Sequence, residues 1–474
     1  MTLVLALIAG CVSECSGPAC EDAWPASRLI VARAAELDGS GGILALPDRV
    51  QGSLVEGARW SVLGWKDRIL VGMPDRSAVA LLDPPVGTQT TDTLRVAQVE
   101  QPLTERFGAS IALADTDGDG RTELWVGAPG YDGSRGALYR YPDVDALDTE
   151  PWDLRLTGFT SEDAFGTHVR GCADVTGDAL DDLVVTAPSF EEPVDGTWEP
   201  TPDGIPRLAG ALWLLPSDTI TTRPEVTYPW ELAPTWWGAA VGDGAGGSTV
   251  CDRDLTGDGL ADLAIGAPFA GSDDAGRVFV VSAAEGLPAR GPLVDVLPWT
   301  LVPDDTSAGW FGSALATRED ADGIELVVGS AGWNRGRGSV TLFRGPLPTF
   351  PGLAKPDARF ERSRDLPDHF GNAVATGDLD GDGESDLLVG APQYRELRGA
   401  GEARTRYDAG HAWIWTSPGR FRWTTDDLVI PTDHEVRGSQ PFLRIGRGAV
   451  FHDLDGDGSD ELLQPVRAPE PDGR

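Results

Sequence analysis

One pattern returns along this chain, and it decides what the chain can build. A Phe-Gly or related pair opens a short apolar run, an acidic loop follows, and a β-branched run closes at Gly-Ala-Pro or a close variant. "FGASIALADTDGDGRTELWVGAPG" begins at Phe107 and "FGTHVRGCADVTGDALDDLVVTAP" at Phe165. "WGAAVGDGAGGSTVCDRDLTGDGLADLAIGAP" begins at Trp237, "FGSALATREDADGIELVVGSAG" at Phe311 and "FGNAVATGDLDGDGESDLLVGAP" at Phe370. "IGRGAVFHDLDGDGSDELLQPV" begins at Ile445, and a degenerate copy, "WSVLGWKDRILVGMP", at Trp60. After each closing turn comes a variable loop and a Gly-led strand such as "GALYRYP", "GRVFVVS" or "GHAWIWT". A fourth, less regular strand leads to the next copy. Each unit is therefore a four-stranded antiparallel meander that exposes both faces when alone. Stacked radially, the units bury one another's faces and leave only short edges.

The loop "DLDGDGESD" at 378–386 alternates acids at Asp378, Asp380 and Asp382, then offers Asp386 at its ninth position. Alternation lets a tight loop wrap one hard cation in oxygen ligands. An EF-hand would hold its last acid until position 12 and run into a helix. Here "LLVGAP" follows, apolar and broken by Gly and Pro, so the loop is a clip between two strands.

The Phe-Gly pair, the DxDxDGxxD-type loop and the Gly-Ala-Pro turn together resemble the FG-GAP repeat of the integrin alpha-subunit head. That resemblance implies an all-β, seven-bladed β-propeller of four-stranded antiparallel blades over 29–474. It also implies that N-terminal strands close the last blade, with "LIVARAAELDGSGGILALP" at 29–47 as its later half. "ELLQPVRAP" at 461–469 reads as a second strand too, which gives that blade one strand too many and keeps an open eight-unit arrangement, or a truncated chain, as the alternative.

Carried over by position, the family's ligands fall on loop residues 1, 3, 5 and 9. They are Asp115, Asp117, Asp119 and Glu123; Asp174, Thr176, Asp178 and Asp182; and Asp254, Thr256, Asp258 and Asp262. The last two sets are Asp378, Asp380, Asp382 and Asp386, then Asp453, Asp455, Asp457 and Glu461. Oxygen-only ligands on a flexible loop suit Ca²⁺ better than Mg²⁺, giving about five Ca²⁺ sites. The plain alternative is an acidic, solvated turn. "REDADGIE" in the Phe311 unit is shorter and "WKDR" in the Trp60 unit lacks the acids, so no ion is expected in either.

The net charge is −37, much of it in these loops, which argues against nucleic acid or an anionic membrane surface as partner. The N-terminal "MTLVLALIAGC" is apolar and too short to span a bilayer. Ile8-Ala9-Gly10-Cys11 resembles a bacterial lipobox. Residues 1–10 then read as a lipoprotein-type signal, Cys11 as the lipidated residue and 11–28 as a tether, on an exported envelope or secreted protein. Any membrane contact would run through that anchor. A truncated or mis-started signal is the other reading. Cys15 and Cys20 could close a small loop, and Cys172 and Cys251 precede equivalent loops in neighbouring units; an exported protein permits both bonds.

Loops joining first and second strands should share one face, the lower one, and the Gly-Ala-Pro turns the other. An aromatic follows most of those turns: Tyr131, Phe190, Phe269, Trp333 and Tyr394. They read either as a protein- or glycan-docking ring, comparable to the aromatic cup of the integrin alpha head, or as lids over the hairpins. No HExxH, P-loop or GxSxG motif occurs, and "GDGAGG" at 242–247 lacks the βαβ setting of a dinucleotide loop. His168, His369, His411, His434 and His452 are scattered. No catalytic residue is assigned. The expected function is a binding or adhesion module; a polysaccharide-acting enzyme or an envelope scaffold are the alternatives.

Overall fold

The computed structural model describes residues 61–83, 95–158, 164–187, 209–217, 235–282, 287–297, 299–303, 309–321, 323–347, 356–361, 367–393, 410–416 and 446–466, together with the short strands Ala6–Ala9, Arg28–Ala32, Ile43–Ala45, Gln89–Thr90 and His434–Arg437. The protein is all-β, and its described helices are single turns such as Tyr131–Ser134 and Trp333–Gly336.

Six sheets are each built on a four-stranded antiparallel meander. Their first strands are Ser61–Trp65, Ser110–Ala114, His168–Cys172, Ser248–Arg253, Phe311–Asp320 and Ala373–Gly377, and each blade is named below by its first residue. The last hairpin, Val450–His452 with Glu461–Val466, makes a composite sheet. Arg28–Ala32 pairs antiparallel with Glu461–Val466, and Ala6–Ala9 pairs with Arg28–Ala32. The architecture is thus a β-propeller of small antiparallel sheets with six regular blades, not seven equivalent ones.

The N-terminal contribution also differs from expectation. Glu461–Val466 is itself the second strand of the composite sheet, so 28–32 takes the third place. Ile43–Ala45 leaves that sheet and adds in parallel to His434–Arg437, the outer strand of the Ala373 blade. Gly291–Pro292 adds in the same way to Trp236–Trp237, and Gln89–Thr90 to Ala6–Ala9. Three sheets therefore have five strands, because an outer edge with unpaired N–H and C=O groups accepts another extended segment.

First strands touch in sequence from Ser61–Trp65 round to Val450–His452, which touches Ser61–Trp65 again. His452 fastens that junction: its Nε2 lies 2.8 Å from the Lys66 carbonyl oxygen, and its ring fills the space over Gly64. This gives the histidine a packing role.

The core lies between blades. Phe165 packs with Trp125 and Leu138 of the preceding blade and with Leu183 and Trp213 of its own. Phe107, Phe311 and Phe370 are buried in equivalent places, each edge-on to a third-strand aromatic: Tyr139, Phe343 and Trp413. The two motif glycines meet at the same seam. Gly108 donates its N–H to the Gly127 carbonyl of its own blade, and a Cβ on Gly127 would strike the Gly166 carbonyl of the next. Ser110 Oγ donates to that Gly166 oxygen at 2.9 Å, as Ser61 does to Gly108 and Ser248 to Gly312. The His168 blade carries Thr186 where the others carry glycine, and Thr186 Oγ1 itself donates to Gly246 at 3.0 Å.

That last contact corrects the sequence register. Ala245-Gly246, rather than Trp237-Gly238, occupies the Phe-Gly position of the Ser248 blade. Ala245 lies against Gly210 as Phe165 lies against Gly136, and Gly246 N–H bonds the Gly266 carbonyl. Trp236–Trp237 is the outer strand of the preceding blade. "GDGAGG" is therefore the blade-opening turn.

Candidate cation-binding loops and the opposite face

Five loops between first and second strands share one internal plan. The first-position carboxylate folds inward and accepts backbone N–H groups. In the 378–386 loop Asp378 Oδ1 accepts from Gly381 at 2.8 Å and Asp382 at 3.0 Å, and Oδ2 from Gly383 at 2.8 Å. Asp115, Asp174, Asp254 and Asp453 do the same in theirs. The ninth-position carboxylate, at the buried start of the second strand, reaches back across the loop. Glu123 Oε2 accepts from Thr116 N–H at 2.8 Å, Asp386 Oδ2 from Leu379 and Glu461 Oε2 from Leu454. Second-position side chains Thr116, Val175, Leu255, Leu379 and Leu454 are buried and anchor each loop to the core. Glycines at positive φ, such as Gly381 and Gly383, permit the tight path.

Three loops bring positions 1, 3 and 9 together: Asp115, Asp117 and Glu123; Asp378, Asp380 and Asp386; and Asp453, Asp455 and Glu461 each place ligand oxygens within 4.8 Å of one another. The fifth-position acids are used differently. Asp119, Asp382 and Asp457 each accept the N–H two residues on, from Arg121, Glu384 and Ser459. In the loops with threonine at position 3, Thr176 Oγ1 donates to Asp182 and Thr256 Oγ1 to Asp262, both at 3.2 Å. Asp178 accepts from Leu180 N–H and from the Ser217 hydroxyl, and Asp258 from Leu260 N–H and the Ser282 hydroxyl.

The donor set fits a hard cation. Glu123 is 1% exposed, and its Oε1 has no hydrogen-bond partner. Burial, with Asp117 nearby, pushes its pKa up to about 7 despite the hydrogen bonds from Thr116. Burial likewise raises Asp182 to about 6 and Asp262 to about 7. Buried carboxylates crowded by others are poorly placed as anions unless a cation joins them.

The Phe311 blade solves the same problem within its own chain. Glu325 sits at the register of Glu123, both opening the "ELxVG" stretch of a second strand. The buried Arg318 guanidinium meets it at 3.0 Å and Asp320 at 2.6 Å, and Arg344 bonds Glu325 Oε1 at 2.5 Å. Sequence reading found the shortened loop but missed this cation: an Arg opposite the buried acid also occurs in the Ser248 blade, where Arg253 faces Asp262, but Arg253 is exposed and Arg318 is buried. In the Ser61 blade the hairpin ends in Lys66, which pairs with Asp145 of the neighbouring blade at 2.6 Å.

Cys172 and Cys251 form a disulfide between adjacent first strands, just ahead of the two threonine-containing loops. Cys11, Cys15 and Cys20 lie outside the described residues.

Of the five aromatics expected on the opposite face, Phe190 and Tyr394 lie outside the described residues. Tyr131 and Trp333 are each covered by an arginine from the outer strand of their own blade: Arg155 at 4.7 Å and Arg359 at 4.9 Å from the ring centres. Phe269 has Thr300 at the register those arginines hold, and it is 39% exposed. Its ring meets Trp310 edge-on at 5.7 Å, and Trp310 stacks on His369 at 5.3 Å. Trp310 and His369 are the left-handed residues preceding Phe311-Gly312 and Phe370-Gly371. Neither was singled out as a ligand residue in the sequence, because a residue before Phe-Gly varies from unit to unit.

Fold and loops together define a β-propeller with repeated acidic clips. The FG-GAP repeat model matches residues 107–139, 245–281 and 370–415, and the second match starts at the corrected register. The chain thus carries FG-GAP repeats and resembles the integrin alpha-subunit propeller. Human phosphatidylinositol-glycan-specific phospholipase D is 28% identical over 398 residues, covering 76% of this chain and 43% of that protein. Mouse integrin alpha-8 is 30% identical over 244 residues, covering 50% of this chain and 20% of that one. Human integrin alpha-IIb is 29% identical over 171 residues, 35% of this chain and 15% of that one. The chain thus spans less than half the length of these relatives. Among solved structures, the Dos1 propeller aligns with a TM-score of 0.44 and 10% identity, covering 85% of this chain and 75% of that one. No described helix is long and apolar enough to cross a membrane.

Proposed function

We propose that this protein is a calcium-stabilised, extracytoplasmic binding module of the adhesion type. The composite sheet serves as its seventh blade, and the upper face takes a protein or glycan ligand. The buried, unpartnered Oε1 of Glu123, set among Asp115 and Asp117, carries the cation half of this reading. Calcium in the five loops would neutralise carboxylates that burial otherwise disfavours as anions. The exposed Phe269, backed by Trp310 and His369, supports the ligand half, because aromatic surface gives contact area at low entropic cost. Tyr131 and Trp333 fit the role less well, since Arg155 and Arg359 already cover them. Export as an envelope lipoprotein or secreted protein belongs to the same reading, with Cys11 as the anchor residue, and no enzymatic activity is assigned.

A second reading, an enzyme, draws support from the phospholipase D match over 76% of the chain. The test combines metal analysis, thermal melts and ligand capture. Purified protein should contain Ca²⁺, and chelation should lower Tm by several degrees or more. An unchanged melt with no bound metal would sink the cation half. Phe269→Ala should abolish binding on a glycan array or in an envelope-extract pull-down. Hydrolysis of glycan or glycosyl-phosphatidylinositol substrates by the purified chain would favour the enzyme instead.

A further inference from the structure

Eighth-position residues were assigned no role as ligands, yet they join neighbouring loops. Asp181, eighth in the 174–182 loop, accepts the Asp115 N–H on Oδ2 at 2.9 Å and donates its own N–H to the Asp115 carbonyl at 3.4 Å. Asp460, eighth in the 453–461 loop, does the same to Asp378, at 2.7 Å and 2.6 Å. Each clasp seizes the backbone of the residue that supplies the first ligand of the preceding loop. Each also adjoins the ninth, interior ligand of its own loop, Asp182 or Glu461. Side chains reinforce the contact: Leu180 lies over Gly118, and Ser459 over Gly381. Between the 174–182 and 254–262 loops the eighth residue is Ala261, which has no carboxylate. There Cys172–Cys251 and the bond from Ala173 N–H to the Cys251 carbonyl make the join.

We propose that Asp181 and Asp460 are positioning residues that couple cation sites in pairs, Asp115 loop with Asp174 loop and Asp378 loop with Asp453 loop. This rests on the calcium reading above. A cation that orders one loop fixes the clasp, so the neighbouring loop needs less ordering to bind its own. The result is positive cooperativity, equal in both directions.

The test is a double-mutant cycle on the full chain, with Ca²⁺ titrated while hydrogen exchange is followed over 115–123. Asp182→Ala removes the interior ligand of the 174–182 loop. It should raise the Ca²⁺ concentration that protects 115–123 by about five-fold or more, the low end of typical coupling. In an Asp181→Ala background the same change should add nothing. Asp181→Asn, whose amide oxygen still accepts from Asp115, should behave as wild type. The Ca²⁺ dependence of protection over 378–386 should be the same in every one of these variants and reports that the fold is intact. Glu461→Ala with and without Asp460→Ala, read over 378–386, repeats the cycle at the second junction should the first variants fail to fold. Shifts that are equal with and without the clasp residue, or absent in both, overturn the coupling while leaving calcium binding in place. A wild-type chain with neither binding heat nor Ca²⁺-dependent protection overturns the calcium reading itself.

Discussion

Glu123, Asp182 and Asp262 show what one buried carboxylate does to a loop. Each has its folded pKa raised by burial, to about 7, about 6 and about 7. A raised carboxylate favours the protonated native state, so its stabilising contribution is full below the unfolded value near 4. It is lost as pH rises through the folded value. Metal-free protein should therefore lose stability between about pH 4 and 7, which thermal melts in chelator would show. Saturating Ca²⁺ should flatten or reverse that slope, because the cation holds the carboxylates ionised. A slope that is the same with and without Ca²⁺ would contradict it. The acidic alternation and the resemblance to the FG-GAP repeat pointed to positions 1, 3 and 9, whose carboxylates converge in three loops. The pull of Asp119, Asp382 and Asp457 toward backbone N–H groups was not, since hydrogen-bond competition depends on where a loop turns.

Blades are the next scale, and the Phe311 blade is the instructive one. Its Arg318 supplies from within the positive charge that the proposed Ca²⁺ would bring to the acidic clips. Arg318→Met should destabilise the protein by about 3–5 kcal/mol, because Glu325 and Asp320 are left buried with less charge compensation. Added Ca²⁺ should not restore the loss. Denaturant melts of variant and wild type at saturating Ca²⁺ measure this, and a loss under 1 kcal/mol would refute it. Sequence pattern located the strands of this blade but not the guanidinium, because register alone brings Arg318, in the first strand, beside Glu325, in the second. The Ser248 blade teaches the complementary lesson. An aromatic-Gly pair at Trp237 mimicked the motif, yet Ala245-Gly246 took its place. The seam demands close approach at the glycine, and it tolerates a small residue where four other blades bury phenylalanine.

Among the described residues, neighbouring blades are fastened by several chemistries: seam glycines at six junctions, clasp carboxylates at two, a disulfide at one and His452 where the chain meets itself. The Cys172–Cys251 bond closes a long loop, a sequence separation of 79, so replacing both cysteines by alanine should cost about 2–5 kcal/mol. Chemical denaturation of variant and oxidised wild type would test that, with an unchanged midpoint counting against it. The loss should be greater in chelator, since the bond flanks the two loops that carry fewer carboxylates. Pairing of these cysteines was readable as a possibility from their equivalent positions, and proximity in the ring made it definite.

The sequence by itself determined the repeated unit, the strand-loop-strand order and the spacing of the loop carboxylates, because all of these depend on residues near one another in the chain. Tertiary structure alone decided which strands complete the last sheet, which carboxylate reaches into the next loop and which aromatics keep an open face. Those outcomes depend on contacts between units, as when His452 meets Lys66 across a separation of 386 residues. Spacing along a chain carries no record of which unit will stand beside which until the ring is assembled.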